Sequence, residues 1–313
     1  MTRALSLRLA QLALVLFGVS VLAFTMIHLI PGDAAELIIG ADDASPELLA
    51  RVRADLGLDR PLVVQYGIWI DRALQGDFGA SISTGRPVLE EIAGRVGVTA
   101  ELTLLSLALA IALAIPAGCL MARLRGAADG AMRVVSVVGV TLPSFWLGTL
   151  LLYGASAAVP GVPVVGYVAF AEDPVGHLQR LLLPTLALAL SGLAGLARVM
   201  RAAMLEALGQ EFIRVARAKG LAERRVVFRH ALRNALIPFL TTAGIMAGYL
   251  FGGSVVVEQV FALPGLGRLM VGAIAERNYP LIQAAILLAT VAFVLVNFLV
   301  DLLALAADPR TRA

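Results

Sequence analysis

The sequence predicts an all-α membrane protein, and three observations carry that expectation. Of 313 residues, 59% are hydrophobic and only 15% charged, where a soluble domain of this size has about a quarter of its residues charged. The apolar residues gather into six blocks near the roughly 20 residues that a helix needs to cross about 30 Å of hydrocarbon. Pro116, Pro143 and Pro184 stand inside three of these blocks. Spanning helices tolerate proline where neighbouring helices re-satisfy the freed backbone groups, so the six are expected to pack as a bundle.

The blocks are Leu9–Ile30, Leu102–Ala122, Val134–Val159, Leu181–Ala197, Ala235–Val257 and Leu281–Ala307. Arg3 and Arg8 precede the first, as in a signal peptide. The block is longer than the usual h-region of about 7–15 residues and no small-x-small site closes it, so it is expected to remain as a spanning helix. The fourth is the shortest, and Arg198 and Arg201 follow it closely enough to extend it by snorkelling.

Six spans put both termini on one side, and the basic residues choose which. Arg3, Arg8, Arg123, Arg125, Arg133, the nine Lys and Arg from Arg198 to Arg233, Arg310 and Arg312 make 16 of the 25. Basic loops stay in the cytoplasm, so both termini and the 198–233 loop are expected there. The segment Pro31–Val98 is then extracytoplasmic and ordered. Ser45-Pro46-Glu47 is a helix start with a capping hydroxyl and a first-position proline; Leu48, Leu49, Val52 and Leu56 share a face, and Gly57 is a candidate C-cap. A second helix is expected over Pro61–Leu74, a turn at Gly76-Asp77-Phe78-Gly79, and an amphipathic turn with Leu89, Ile92 and Val96. Two readings of this segment stand: a membrane-surface cap that stabilises the bundle, or a lid or docking surface.

Absent motifs narrow the chemistry. No G-x-x-x-x-G-K-[ST] loop is present, so the chain is not expected to bind and hydrolyse ATP by itself. H-E-x-x-H and G-x-S-x-G are also missing. His28, His177 and His230 are far apart and read as surface or interface groups rather than ligands. The single Cys119 excludes a disulfide framework and a cysteine zinc site. Ion-coupled carriers bury charge in mid-membrane, whereas Glu101 precedes the second block and Asp301 lies late in the sixth. Neither a metal, a cofactor nor nucleic acid is expected on this chain.

The stretch from Arg198 to Arg233 is too polar for lipid and too patterned for a tether. Leu205, Leu208, Phe212 and Val215 recur at helical spacing, Gly220 breaks the pattern, and Val226, Val227 and Leu232 start another. One reading is a helix around Glu206–Lys219 that presents an apolar ridge to a soluble partner. The other is an interfacial helix whose arginines bind anionic headgroups. Gly244, Gly248, Gly252 and Gly253 in the fifth block allow close helix approach; they pack or they line a pore.

The run Phe212-Ile213-Arg214-Val215-Ala216-Arg217-Ala218-Lys219-Gly220-Leu221, followed by His230-Ala231-Leu232-Arg233-Asn234-Ala235-Leu236-Ile237-Pro238, resembles the cytoplasmic loop of bacterial ABC-importer permeases. The resemblance is closest to the dipeptide, oligopeptide and nickel branch. It extends along nearly the whole chain: Pro31-Gly32-Asp33, Leu56-Gly57-Leu58-Asp59-Arg60-Pro61, Gly76-Asp77-Phe78-Gly79 with Ser81, Thr84-Gly85-Arg86-Pro87-Val88, Leu142-Pro143-Ser144-Phe145-Trp146, Glu258-Gln259-Val260-Phe261 and Pro264-Gly265-Leu266-Gly267. The broader family opens this loop with Glu-Ala-Ala, where this chain has Arg214, Val215 and Ala216, a variation its branch shares.

The resemblance implies a type I importer permease fold: an N-terminal extension over residues 1–96, a permease core over 97–307 and a cytoplasmic tail over 308–313. It implies a bacterial inner-membrane location, a second permease subunit, and a solute-binding protein outside. Two cytoplasmic ATPases would bind the ATP and Mg. Coupling to the ATPase is expected at Glu206, Leu208, Phe212, Val215, Ala216, Lys219 and Gly220, and the translocation path at Ser144, Gly248 and Gly252. The expected function is inward transport of peptides or similar small solutes by alternating access, with an ion-coupled carrier as the alternative. Dipeptides, oligopeptides, glutathione and nickel complexes all fit the branch.

Overall fold

The computed structural model describes residues 2–29, 45–56, 58–124, 141–159 and 163–307, with isolated residues between them. Its helices are α1 (Thr2–His28), α2 (Pro46–Leu56), α3 (Leu62–Leu74), α4 (Val88–Met121), α5 (Ser144–Ala158), α6 (Pro174–Gly209), α7 (Glu211–Ala218), α8 (Leu232–Val260), α9 (Leu266–Ala275) and α10 (Tyr279–Ala307). Among the described residues the only β pairing is an isolated bridge between Ala80 and Pro87. Five helical segments are long and apolar enough to cross a membrane. The expected span Val134–Val159 is seen mainly as α5, whose 15 residues reach about 22 Å at 1.5 Å per residue. Most of residues 134–140, like Pro31-Gly32-Asp33, Gly57 and the tail 308–313, lies outside the described residues.

Two expected boundaries are corrected. The amphipathic turn at Leu89, Ile92 and Val96 and the second span form one 34-residue helix, α4. The fourth span is part of the 36-residue α6, which carries the chain through Arg198, Arg201 and Leu205 without a break. A polar composition leaves lipid but does not end a helix, because the backbone bonds are unaffected by what the side chains face.

The described residues fall into two compact units. The first draws on Met1–Gly97 and Gly265–Leu295. In it α3 ends in a paired C-cap: Gly76 N–H donates to the Ala73 carbonyl at 3.0 Å and Asp77 N–H to the Arg72 carbonyl at 2.9 Å. Gly76 takes φ +83°, the left-handed value that such a cap favours. The following turn is tied by Val88 N–H to the Gly79 carbonyl at 3.0 Å and Ser81 N–H to the Arg86 carbonyl at 2.9 Å. The fully buried Asn278 donates to Ser81 Oγ at 2.7 Å. Gln283 of α10 donates to the Ala23 carbonyl of α1 at 2.9 Å.

The second unit draws on Val98–Pro264 and Val296–Ala313. Among the described residues α8 packs along α6 more extensively than any other pair. Ala187, Leu188, Leu196, Met200, Phe239, Leu250 and Phe261 are almost completely buried there. α6 begins at an Asp173 cap, whose Oδ1 accepts from Gly176 N–H at 2.9 Å, with Pro174 at the first position. α8 is entered through Glu223–Arg225 and a π-helical turn, Val226–Ala231. α4 meets α6 at Gly118, where an added Cβ would lie 2.5 Å from Met200 Cβ and 2.8 Å from the Ala197 carbonyl oxygen.

Backbone does not yield at that distance. Gly118→Ala is therefore expected to cost about 1–3 kcal/mol through overpacking, measured as a fall in unfolding temperature in detergent. Gly154→Ala, where nothing lies within 4 Å of the new Cβ, leaves that temperature unchanged or higher. Equal behaviour of the two variants would remove the close crossing from the account.

Candidate functional site

The residues singled out in the polar loop occupy two helices rather than one. α6 ends at Gly209, Gln210 is extended at ψ 154°, and α7 begins at Glu211. The expected single helix over Glu206–Lys219 is thus broken, and Glu206 and Leu208 belong to α6. Leu208 packs partly against the core. On α7, Ile213 and Ala216 turn inward and are buried, while Phe212 and Val215 remain 41% and 49% exposed. Ala216 therefore lies on the supporting face. Glu206 and Lys219 are exposed.

Gly220 takes φ +74°. Its N–H donates to the Arg217 carbonyl at 2.9 Å and Leu221 N–H to the Ala216 carbonyl at 3.3 Å, the same paired cap seen after α3. Arg217 then spans the turn, donating through Nε and Nη2 to the Glu223 carboxylate at 3.1 and 2.7 Å. This hydrogen bond holds the Glu223 carboxyl below its usual range and raises the Arg217 guanidinium. With its acid depressed, the pair is intact at neutral pH and is lost only as pH falls through the lowered Glu223 value. Val226 and Val227, the start of the second pattern, are buried under the loop.

Ser144, Gly248 and Gly252 come together around one cavity of about 550 Å³, with Thr141, Pro143, Leu188, Ser191, Tyr249 and Gly253. Its lining carries three aliphatic hydroxyls and one phenol but no charged side chain. Of the four glycines of α8, Gly244 is buried, Gly253 sets a Cβ position 3.3 Å from Leu188 Cδ1, and Gly252 opens onto free space. Both packing and lining roles are therefore present.

Two polar clusters escaped the reading of the sequence. Thr99 of α4 donates to Glu258 of α8 at 2.6 Å, both almost fully buried. His177, expected at the surface in a loop, sits in the first turn of α6 and is 2% exposed. Its Nδ1 lies 2.8 Å from the Val168 carbonyl oxygen and its Nε2 2.8 Å from Glu101 Oε1. The Tyr167 and Phe170 rings meet it edge-on at 5.5 Å. The Asp173-Pro174 helix start was a usable signal: it places residue 177 inside a helix. His28 instead ends α1, 3.0 Å from Gln65 Oε1, and His230 lies in the π-helical turn.

Two family models match the chain. One, described as binding-protein-dependent transport system inner membrane component, matches residues 114–313. The other, described as the N-terminal part of a binding-protein-dependent transport system membrane component, matches residues 1–103. A protein of Brucella abortus (strain 2308) named as a peptide transport system permease is 44% identical over 313 residues, 100% of this chain and 99% of its own. The glutathione transport system permease protein GsiC of Escherichia coli (strain K12) is 42% identical over 306 residues, 97% of each chain.

Both partners of the His177 ring are acceptors, so the cluster is fully satisfied only when a proton lies on each ring nitrogen or on the carboxyl. His177→Leu removes the ring from the Val168 carbonyl oxygen and from Glu101 Oε1, leaving Glu101 only the Tyr167 hydroxyl, which donates to Oε2 at 3.4 Å. It is expected to destabilise by about 1–3 kcal/mol, measured by thermal unfolding, and to speed proteolysis within 163–173. Glu101→Gln, which retains a donor toward the ring, is expected to be milder. The reverse order would refute this account of the cluster.

Proposed function

The chain belongs to the binding-protein-dependent transport system inner membrane component family, and from that membership we propose how it works. It is a permease subunit of an ATP-binding-cassette importer of the peptide branch, with the type I permease fold, and a multi-pass inner-membrane protein. Its partners include an ATPase and a solute-binding protein. An ion-coupled carrier has no support in this family.

The finer reading is ours. The permease pairs with a second, usually non-identical permease, and two cytoplasmic ATPases bind the ATP and Mg while this chain carries no ATPase site of its own. Residues 1–96 form a branch-specific extension, 97–307 the permease core and 308–313 a tail. Both termini and the 198–233 loop face the cytoplasm, as the distribution of basic residues indicates. The cargo is a peptide or similarly small solute. Ser144, Gly248 and Gly252 border its path, where hydroxyls and glycine backbone offer hydrogen bonds without a fixed charge. Such a lining suits passage rather than tight binding, so selectivity rests with the binding protein. ATP on the inside and loaded binding protein on the outside bias a bundle with two arrangements.

One observation carries the coupling proposal. Phe212 and Val215 are apolar and exposed on a short helix whose adjoining face, Ile213 and Ala216, is anchored in the core. Such a helix inserts its outer face into a groove on a partner, with Leu208 at the edge, Glu206 and Lys219 around it, and Gly220 fixing where it ends.

Orientation is tested in intact cells with Cys119→Ser and single cysteines at Ser83 and Ala222, both exposed. An impermeant thiol reagent is expected to label Ser83→Cys and spare Ala222→Cys, and the opposite pattern sinks the topology. Coupling is tested by pull-down of the ATPase and by transport-linked ATP hydrolysis in proteoliposomes. Phe212→Ala is expected to cost about 2 kcal/mol of association or to uncouple hydrolysis from transport. Gly220→Val does similar damage because a β-branched residue is strained at positive φ. Parental behaviour of both, with loss only in Arg214 and Arg217 variants, would favour headgroup binding instead.

A further inference from the structure

We propose that α3, within the segment the sequence places outside the membrane, is an in-plane helix embedded in the lipid leaflet at the His28 end of α1, its outer face covered by acyl chains. The depth follows from what α3 touches. The apolar block carried by α1, Leu9–Ile30, is 22 residues, or about 33 Å at 1.5 Å per residue. That is close to the hydrocarbon thickness of about 30 Å, and α1 ends at His28, so His28 marks one boundary.

Tyr66 of α3 meets Phe24 at 5.5 Å between ring centroids and Phe17 at 6.3 Å. Its hydroxyl lies 2.7 Å from Ser20 Oγ. Trp69 meets Phe24 at 5.9 Å, and Gln65 meets His28 at 3.0 Å. Phe24 and Ser20 are one and two turns below His28, about 6 and 12 Å inside the boundary. A helix resting on the aqueous surface does not reach those residues. An in-plane helix buried about 5–10 Å does.

The distribution of polar groups agrees. The face of α3 toward α1 carries Gln65, Tyr66 and Trp69, and the Gln65 amide and Tyr66 hydroxyl are hydrogen-bonded within the protein. Gln65 also donates to the Leu58 and Arg60 carbonyls at 3.2 and 2.8 Å. The exposed stripe carries Val63, Gly67 and Leu74 at helical spacing, with Val63 and Leu74 each 81% exposed, and the one charge on that stripe, Asp71, comes at its C-terminal end. Asp71 is the exposed acid on α3, and it sits in the last turn, accepting from Gln75 Nε2 at 2.9 Å. At 13 residues the helix is too short to span. Leu14, Phe17 and Leu22 of α1 are 70%, 58% and 71% exposed, so the bare face of α3 continues a surface that already faces lipid. Tyr66 and Trp69 are the residue types that anchor at this level. The proposal holds whichever side of the membrane His28 faces, and it does not depend on the cargo or the coupling loop.

The test uses the full chain with the subunits that co-purify with it, reconstituted into vesicles of phosphatidylcholine. In a Cys119→Ser background, Val63→Cys and Leu74→Cys are each labelled with a bimane fluorophore. Ser83→Cys serves as the aqueous reference and Leu22→Cys as the lipid reference. Replacing the lipid by phosphatidylcholine brominated near the glycerol end of its acyl chains is expected to quench Val63→Cys and Leu74→Cys by about as much as Leu22→Cys, a label in the hydrocarbon. Ser83→Cys is expected to stay unchanged. Two outcomes overturn the proposal. No quenching with rapid labelling by an impermeant maleimide puts the face in water; no quenching with protection from the maleimide puts another protein chain over it. The two sites are three turns apart, so loss of assembly in one variant leaves the other to decide.

Discussion

In hydrocarbon, a backbone N–H or C=O without a partner costs several kcal/mol, and no water is there to supply one. The long helices of this chain answer that constraint, and its irregular turns show where it relaxes. The paired caps after α3 and α7, the Asp173 cap on α6 and the extended Gln210 all stand outside the long apolar runs. Inside the runs the backbone stays helical even where Pro116, Pro184 and Pro238 remove a donor. Side chains follow the same rule. Thr103, Thr149, Thr241, Thr242 and Thr290 each donate back to the carbonyl four residues earlier. These five are satisfied within their own helices, whereas Thr99 takes Glu258 of another helix and the buried Thr185 hydroxyl of α6 has no hydrogen-bond partner among the described residues.

Small residues then decide how closely the satisfied helices approach. Gly118 against Met200, Gly148 against Phe261 and Gly192 against Met246 are contacts in which a Cβ would lie 2.5, 3.1 and 3.1 Å from its neighbour. Lipid tails are as apolar as the side chains, so intimate packing rather than hydrophobic burial is what holds such helices together. Where Gly252 meets nothing, the same residue type leaves room for the cavity.

The parts of the fold legible in the sequence are those set by length and by backbone breakers. Six apolar blocks, the Pro46 and Leu62 helix starts and the left-handed Gly220 follow from local chemistry. The extent of α6 was not legible, because Arg198 and Arg201 mark a boundary in solvent and not in the helix. The break at Gln210 carries no proline or glycine at the extended residue itself. It divided a pattern that reads as one helix and put Leu208 on a different helix from Phe212 and Val215. His177 and Glu101 are 76 residues apart, and nothing local announces their meeting. Exposed apolar residues posed the reverse difficulty: Val63 and Phe212 look alike as letters, and only their neighbours, the α1 aromatics for one helix and the buried face of α7 for the other, tell the two surfaces apart.

α6 joins two sites that were described separately. Its first turn holds His177 and the 163–173 segment; its last turn leads directly into α7. Between them lie 36 residues, about 54 Å of continuous helix, with Pro184 as its softest point. A rod of that kind acts as a lever. Under the proposed coupling, a push on α7 is carried along this rod to its His177 end as tilt, and Pro184, which removes a hydrogen bond from the ladder, is where the rod yields first.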